Sequence, residues 1–250
     1  MGTKSFPLQP SAARFDAGHA MPRFTIKSLA AAITAVLGVA MSMQAAAVVT
    51  NINKDGKTDT TVAHATSSHL YDVTTTTLSQ NGNTAFNSFH DFTVDASDTV
   101  NMHLPDSSKN LVNLVWDSQT VINGTLNSLV GSGVNAKVGG NVYFADPHGV
   151  VVGATGVLNV GALSLSAPSS EFMGSLLDSG SLKTNTASGQ PMYVLLTGQE
   201  AQAKAGANTC LICINGTINA NNAVRIRATA IDVSGTIYVA GKGDDSLSTA

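Results

Sequence analysis

Charge is scarce in this chain of 250 residues. Only 12% of the residues are Asp, Glu, Lys or Arg, and they sum to a formal net charge of -3. No basic face of the kind that holds a phosphate backbone follows from such a balance. Aromatic residues make up 5%, too few for base-stacking platforms. Together these two shortages argue against a nucleic-acid partner. Runs of Glu, Lys and Leu that favour helices are missing outside the N-terminus. The catalytic fingerprints are missing too. There is no G-x-S-x-G elbow, no phosphate loop and no dinucleotide-binding glycine pattern. His64 and His69 have no Cys or carboxylate at a metal-ligand spacing. Asp95, Asp98 and Asp106 lack the EF-hand spacing and its terminal Glu. The reading is therefore of a chain with no catalytic residues, no cofactor and no metal.

Cysteine is almost absent as well. The two present, Cys210 and Cys213, form a C-x-x-C. A zinc site needs two more ligands, and a thioredoxin-like site needs a βαβ context. The flanks Thr209, Leu211, Ile212 and Ile214 read as strand instead. A local disulfide or two packed thiols is the simpler reading, and a disulfide requires the backbone to bend there.

What the chain has is Gly, Asn, Ser and Thr in abundance, with aliphatic residues spaced two apart. Residues 139–168 hold the densest signal. An apolar run, Asn141 to Phe144, leads into the turn tetrad Asp146-Pro147-His148-Gly149. Two alternating segments follow, Leu158/Val160/Ala162 and Leu163/Leu165/Ala167. A period of two predicts strands, and the parity switch between Ala162 and Leu163 predicts a corner. The same pattern returns as Val224/Ile226/Ala228, Ile231/Val233 and Ile237/Val239.

A short motif recurs beside these segments. Gly124-Thr-Leu-Asn127, Gly156-Val-Leu-Asn159, Gly216-Thr-Ile-Asn219 and Gly235-Thr-Ile-Tyr238 share a turn glycine, a small or β-branched residue and an aliphatic one; Asp98-Thr-Val-Asn101 is a variant. Repeats too small to fold alone imply stacked rungs, a β-solenoid. The interval from Gly216 to Gly235 suits one rung. Asn at a repeated corner position can stack as a ladder and supply side-chain hydrogen bonds to the turn backbone. Two sequons, at Asn123 and Asn215, coincide with this motif, and turn geometry accounts for them.

The ends read differently. Met21 to Lys27 is a basic n-region, residues 29–41 are an apolar h-region, and Ala45-Ala46-Ala47 is a small-residue cleavage site. This predicts a signal peptide over residues 1–47, cleaved after Ala47. Either Met21 is the start, or residues 1–20 extend the signal. Residues 48–84 predict short strands and hairpins, and Phe86 to Val94 predicts a strand with a bend. Residues 169–206 break the alternation and read as an excursion, helical at both ends, with a hairpin around Met192 to Leu196. Residues 241–250 are a polar tail or the start of a truncated passenger. No amphipathic cap closes the solenoid, which suggests the front piece of something longer.

Taken in order, these blocks resemble a known family. Phe86 to Asn101, Asn110 to Leu126 with its Asn113, and Gly140 to Ala167 are similar to the successive blocks of the N-terminal domain of two-partner secretion exoproteins, the filamentous-haemagglutinin-like domain. That family's Asn-Pro-Asn-Gly turn corresponds to Asp146, Pro147, His148 and Gly149, with both Asn replaced. The wording resembles the leukotoxin-like and high-molecular-weight adhesin branch. The resemblance covers roughly residues 48–240.

It implies an all-β fold, a right-handed parallel β-helix with extra-helical strands and an N-terminal cap. It also implies a non-enzymatic, secretion-targeting domain of a large adhesin, secreted or held at the cell surface. The expected partner is an outer-membrane β-barrel transporter with periplasmic recognition repeats, and a downstream passenger would meet host-cell surface receptors. Asp146, Pro147, His148, Gly149, Asn113, Phe86, Phe89 and Phe92 become candidates for transporter recognition or for folding. A free-standing adhesive solenoid is the alternative. A polysaccharide-acting β-helix enzyme fits less well, because Arg225 and Arg227 are the main basic residues of the rungs.

Overall fold

A computed structural model describes residues 49–65, 67–178, 191–206 and 209–241. The predicted signal peptide with its cleavage site at Ala47, and the tail from residue 242, lie outside the described residues. The remainder winds three strands per turn, and each strand pairs in parallel with its equivalents one turn away.

The first stack is built from β4 (Thr84–Val94), β6 (Asn110–Val115), β10 (Asn141–Ala145), β13 (Ala162–Ser166) and β16 (Val224–Arg227). The second contains the end of β4, then β7 (Thr120–Ile122), β11 (Val150–Val152), β14 (Ile212–Ile214) and β17 (Ile231–Val233). The third contains β3 (Leu70–Thr75), β5 (Thr99–His103), β8 (Thr125–Val130), β12 (Val157–Val160), β15 (Thr217–Ala220) and β18 (Thr236–Val239). This is the expected parallel β-helix. The bend predicted in 86–94 is where β4 leaves the first stack, pairing Phe89 with Val115, and enters the second, pairing Thr93 with Val121.

Outside the three stacks lie antiparallel additions. β1 (Asn51–Lys54) pairs with β4, β2 (Thr60–His64) forms a hairpin with β3, and β9 (Lys137–Val138) pairs with β8. Lys57 ties the N-terminal additions down. Its Nζ lies 4.0 Å over the Trp116 ring and 3.3 Å from Asp55.

The repeated motif explains the third stack. Gly156 sits where a Cβ would meet the Ile122 carbonyl oxygen at 2.3 Å; at Gly216 it would meet that of Gly156 at 2.3 Å, and at Gly235 that of Gly216 at 2.1 Å. Backbones at this corner approach too closely for any side chain. One residue after each aliphatic position, Asn101, Asn127, Asn159 and Asn219 form a ladder. Each Nδ2 donates to the preceding Oδ1, at 3.0, 2.8 and 2.9 Å. Asn101 itself donates to Asp72 at 3.2 Å. The parity switch falls at Gly161, between β12 and β13, one residue before the predicted corner.

Inside the coil, the inward residues of all three stacks form one core, including Phe89, Phe92, Phe144, Leu126, Leu158 and Ile218. A second core lies on the outer face of the first stack. There the excursion supplies two helices, α1 (Ser170–Asp178) and α2 (Pro191–Thr197). Met173, Leu176, Met192 and Leu195 cover Phe86, Val112, Leu114 and Ala145. The sequence suggested a hairpin around Met192 to Leu196, and the structure makes it a helix. The run is equally compatible with either period, and burying Met192 and Leu195 together needs the three-residue spacing of a helix. The helix expected from Gln199 is absent among the described residues of that span; Gln202 instead bridges to Pro168.

Candidate functional site

The tetrad predicted as a turn is one, and it leads from β10 into β11. The Gly149 N–H donates to the Asp146 carbonyl oxygen at 3.0 Å, while Asp146 Oδ1 accepts the His148 N–H at 2.8 Å. This Asx arrangement satisfies the turn's own backbone. Gly149 has φ +97, and a Cβ there would meet the Leu211 carbonyl oxygen at 2.1 Å. Glycine is required twice over, by conformation and by contact.

Asp146 does more than close the turn. Its side chain is fully buried, and its Oδ2 accepts the Thr120 N–H at 2.8 Å and the Thr120 hydroxyl at 2.7 Å. Thr120 opens β7, one turn of the helix earlier. The carboxylate therefore fastens the tetrad to the rung before it. Burial raises the Asp146 pKa to about 6, against the opposing pull of the Thr120 hydroxyl and the backbone N–H groups of His148 and Thr120. His148 is exposed, with Nδ1 3.5 Å from Asp146 Oδ1, and Pro147 is half-buried. Thr120 lies 26 residues away in sequence, and no local signal marks it as a partner of the tetrad.

The other candidates are interior. Phe86, Phe89 and Phe92 are each 0% exposed, as is Asn113. Phe92 packs edge-on against Phe89 at 5.2 Å and against Phe144 at 5.4 Å. Phe86 points the opposite way, into the helical cover. Asn113 accepts from Asn87 Nδ2 at 3.0 Å and donates to the Tyr143 carbonyl at 3.2 Å. Of the eight candidates, only Pro147 and His148 offer surface. The Phe residues and Asn113 do not share a site with the tetrad; they lie in the rungs beside it.

Cys210 and Cys213 are joined in a disulfide with Cα atoms 5.9 Å apart. The chain bends at Leu211 and β14 begins at Ile212, so the link joins Cys210, before the bend, to Cys213 inside the strand. Leu211 lies between them, and its carbonyl accepts the Val150 N–H at 2.8 Å. The disulfide thus fixes the loop that closes over the tetrad's glycine.

Among the described residues, no group of three or more His, Cys, Asp or Glu is placed to hold a metal. His64 stacks on Tyr71 at 4.0 Å, and His69 Nδ1 lies 2.8 Å from Asp98. Asp95 and Asp98 both accept from the Ser97 hydroxyl, at 2.7 and 3.4 Å, and Asp98 also accepts from the Thr50 hydroxyl. No helix among the described residues is long and apolar enough to cross a membrane.

The family model of the TPS secretion domain matches residues 50–248, the whole solenoid with its excursion. The chain belongs to the TPS secretion domain family. No curated protein matches it, and no solved structure does. As a TPS secretion domain it is the secretion-targeting part of a two-partner secretion exoprotein, a module and not a catalytic family, and its partner in general is an outer-membrane transporter.

Proposed function

We propose that this TPS domain leads a large adhesin- or haemagglutinin-like exoprotein to a cognate outer-membrane β-barrel and is itself recognised by that transporter's periplasmic repeats. The family match over residues 50–248 carries this reading. The fold supports a mechanism for it. Each rung is completed by backbone hydrogen bonds to the next, and the last one, formed by β16, β17 and β18, keeps an unpaired edge among the described residues. Val233 and Tyr238 are exposed there. A part-folded segment presents the same kind of edge, and a periplasmic repeat can add a strand to it. Folding of successive rungs outside the cell would then bias the chain outward.

In this reading the tetrad and the Phe residues act mainly through folding. They lock one rung to the next, and His148 and Pro147 are the members a transporter can touch directly. The domain has no reaction of its own, and receptor binding belongs to the passenger that it exports. Pull-down of residues 48–250 by the periplasmic repeats tests the proposal, with the protein presented both folded and in urea. Capture of either form supports it. No capture of either form rejects it.

A further inference from the structure

The outer face of the first stack changes character along a single row. Register aligns Phe86, Val112, Tyr143, Ser164 and Arg225 across β4, β6, β10, β13 and β16. The first two are sealed under α1 and α2. Beyond Tyr143 the row turns polar and opens into a groove of about 230 Å³, lined also by Asn141 and Asn222.

Among the described residues, the polar ends in this groove are uncommitted. The Tyr143 phenol, the Ser164 hydroxyl, the Asn222 amide and the Arg225 guanidinium make no hydrogen bond or ion pair, and Asn141 uses only its Nδ2, donated to Asn110 at 2.9 Å. The Tyr143 hydroxyl is not sealed from solvent, and the Arg225 charge reaches it. Neighbouring strands lie about 4.8 Å apart, so Tyr143 and Arg225, two strands apart, flank a space on the order of 10 Å. Arg225 differs from its neighbour Arg227, which lies 3.8 Å from the buried Glu200 carboxylate and donates to the Glu200 carbonyl.

We propose that this groove binds an acidic saccharide unit, its carboxylate or sulfate on Arg225 and its hydroxyls on Tyr143, Ser164, Asn141 and Asn222. An unpaired guanidinium is suited to an oxyanion through paired N–H donors. Amide, hydroxyl and phenol groups in one row match a ring of alternating donors and acceptors, with the tyrosine ring as an apolar wall. Drug-sized ligands take pockets of about 300 Å³ upward, so this groove suits one sugar ring. The site gives the secretion domain a contact with acidic glycan independent of any transporter.

The test is titration calorimetry or NMR with the folded chain, using trigalacturonate for the carboxylate source, a sulfated heparin disaccharide for the sulfate source, and a neutral trisaccharide and inorganic phosphate as controls. Saturable binding of at least one acidic sugar, below about 10 mM, is expected. Arg225→Gln should weaken it tenfold or more, and Tyr143→Phe severalfold, with both variants keeping the wild-type circular dichroism spectrum. Arg225→Lys should restore part of the loss. Which acidic probe binds identifies the anion. Equal binding of inorganic phosphate and the sugars, equal binding of the neutral trisaccharide, binding unaffected by Arg225→Gln, or no binding overturns the proposal.

Discussion

Thr120 gives both of its donors to one oxygen of Asp146, the backbone N–H at 2.8 Å and the hydroxyl at 2.7 Å, across 26 residues of sequence. A turn that looked local is thereby the clamp between consecutive rungs. Replacing Asp146 with Ala orphans the buried Thr120 hydroxyl, while the Thr120 N–H keeps the Gly149 carbonyl at 3.0 Å and the His148 N–H lies on an exposed residue. The cost should be about 1–3 kcal/mol, the penalty of one orphaned buried donor. A urea melt of the variant measures it.

The same carboxylate makes stability depend on pH. Its pKa is about 6 in the folded chain, above the ordinary value of 3.8. Between those values the folded state holds a proton that the unfolded state has released. Its contribution to stability is therefore greatest below pH 3.8 and is lost as pH rises towards 6, by on the order of 3 kcal/mol. The Thr120 hydroxyl can reverse to accept that proton. Asp95 and Asp98 carry lowered pKa values and act in the opposite sense, so the comparison with Asp146→Asn isolates the effect. The stability difference, wild type minus variant, should fall between about pH 4 and pH 7. A difference that stays level or rises would refute the assignment.

Gly149 can be tested against another left-handed glycine. At Gly149 an added Cβ meets a backbone oxygen at 2.1 Å, and at Gly56 it meets nothing within 4 Å, although φ is +97 and +78 respectively. Gly56→Ala should cost about 1 kcal/mol, the conformational term alone. Gly149→Ala should cost about 3 kcal/mol or more, because Leu211 must also move and the Cys210–Cys213 disulfide holds it. Denaturation midpoints of the two variants separate the terms.

The three phenylalanines should divide by the core they fill. Phe92→Ala removes a ring packed against Phe89 and Phe144 inside the coil, and should cost about 3–5 kcal/mol. Phe86→Ala should instead loosen the helical cover, read as faster proteolysis within α1 and α2. If these residues serve export through folding, Phe92→Leu should be exported at close to the wild-type level while Phe92→Ala is not. Lost export in a Phe92→Leu variant of wild-type stability would point to direct recognition.

Much of this was legible in the residues. The glycine of each repeat reports a corner where backbones touch, and its Asn reports a ladder; both follow from one repeated position and need no distant partner. Asp146 with Thr120 was not legible, because a clamp between rungs has no local spacing. Nor was the helix at Met192, whose apolar run suits either period until Phe86 and Val112 are known to need cover. The row from Tyr143 to Arg225 was hidden for the same reason. It exists only once the register is set.

The asparagine ladder offers the most direct check on that register. Asn127 lies in the middle, donating to Asn101 at 3.0 Å and accepting from Asn159 at 2.8 Å, whereas Asn219 at the end only donates, to Asn159 at 2.9 Å. The next position in the column is Tyr238, which cannot continue the ladder. Asn127→Ala breaks two side-chain bonds and Asn219→Ala one. At about 1 kcal/mol for each bond, the first should cost about twice the second. The double variant should depart from the sum, because Asn159 is the shared partner of both sites and loses its bonds on both sides. Equal costs for the two single variants would mean that the four side chains are not aligned as one column.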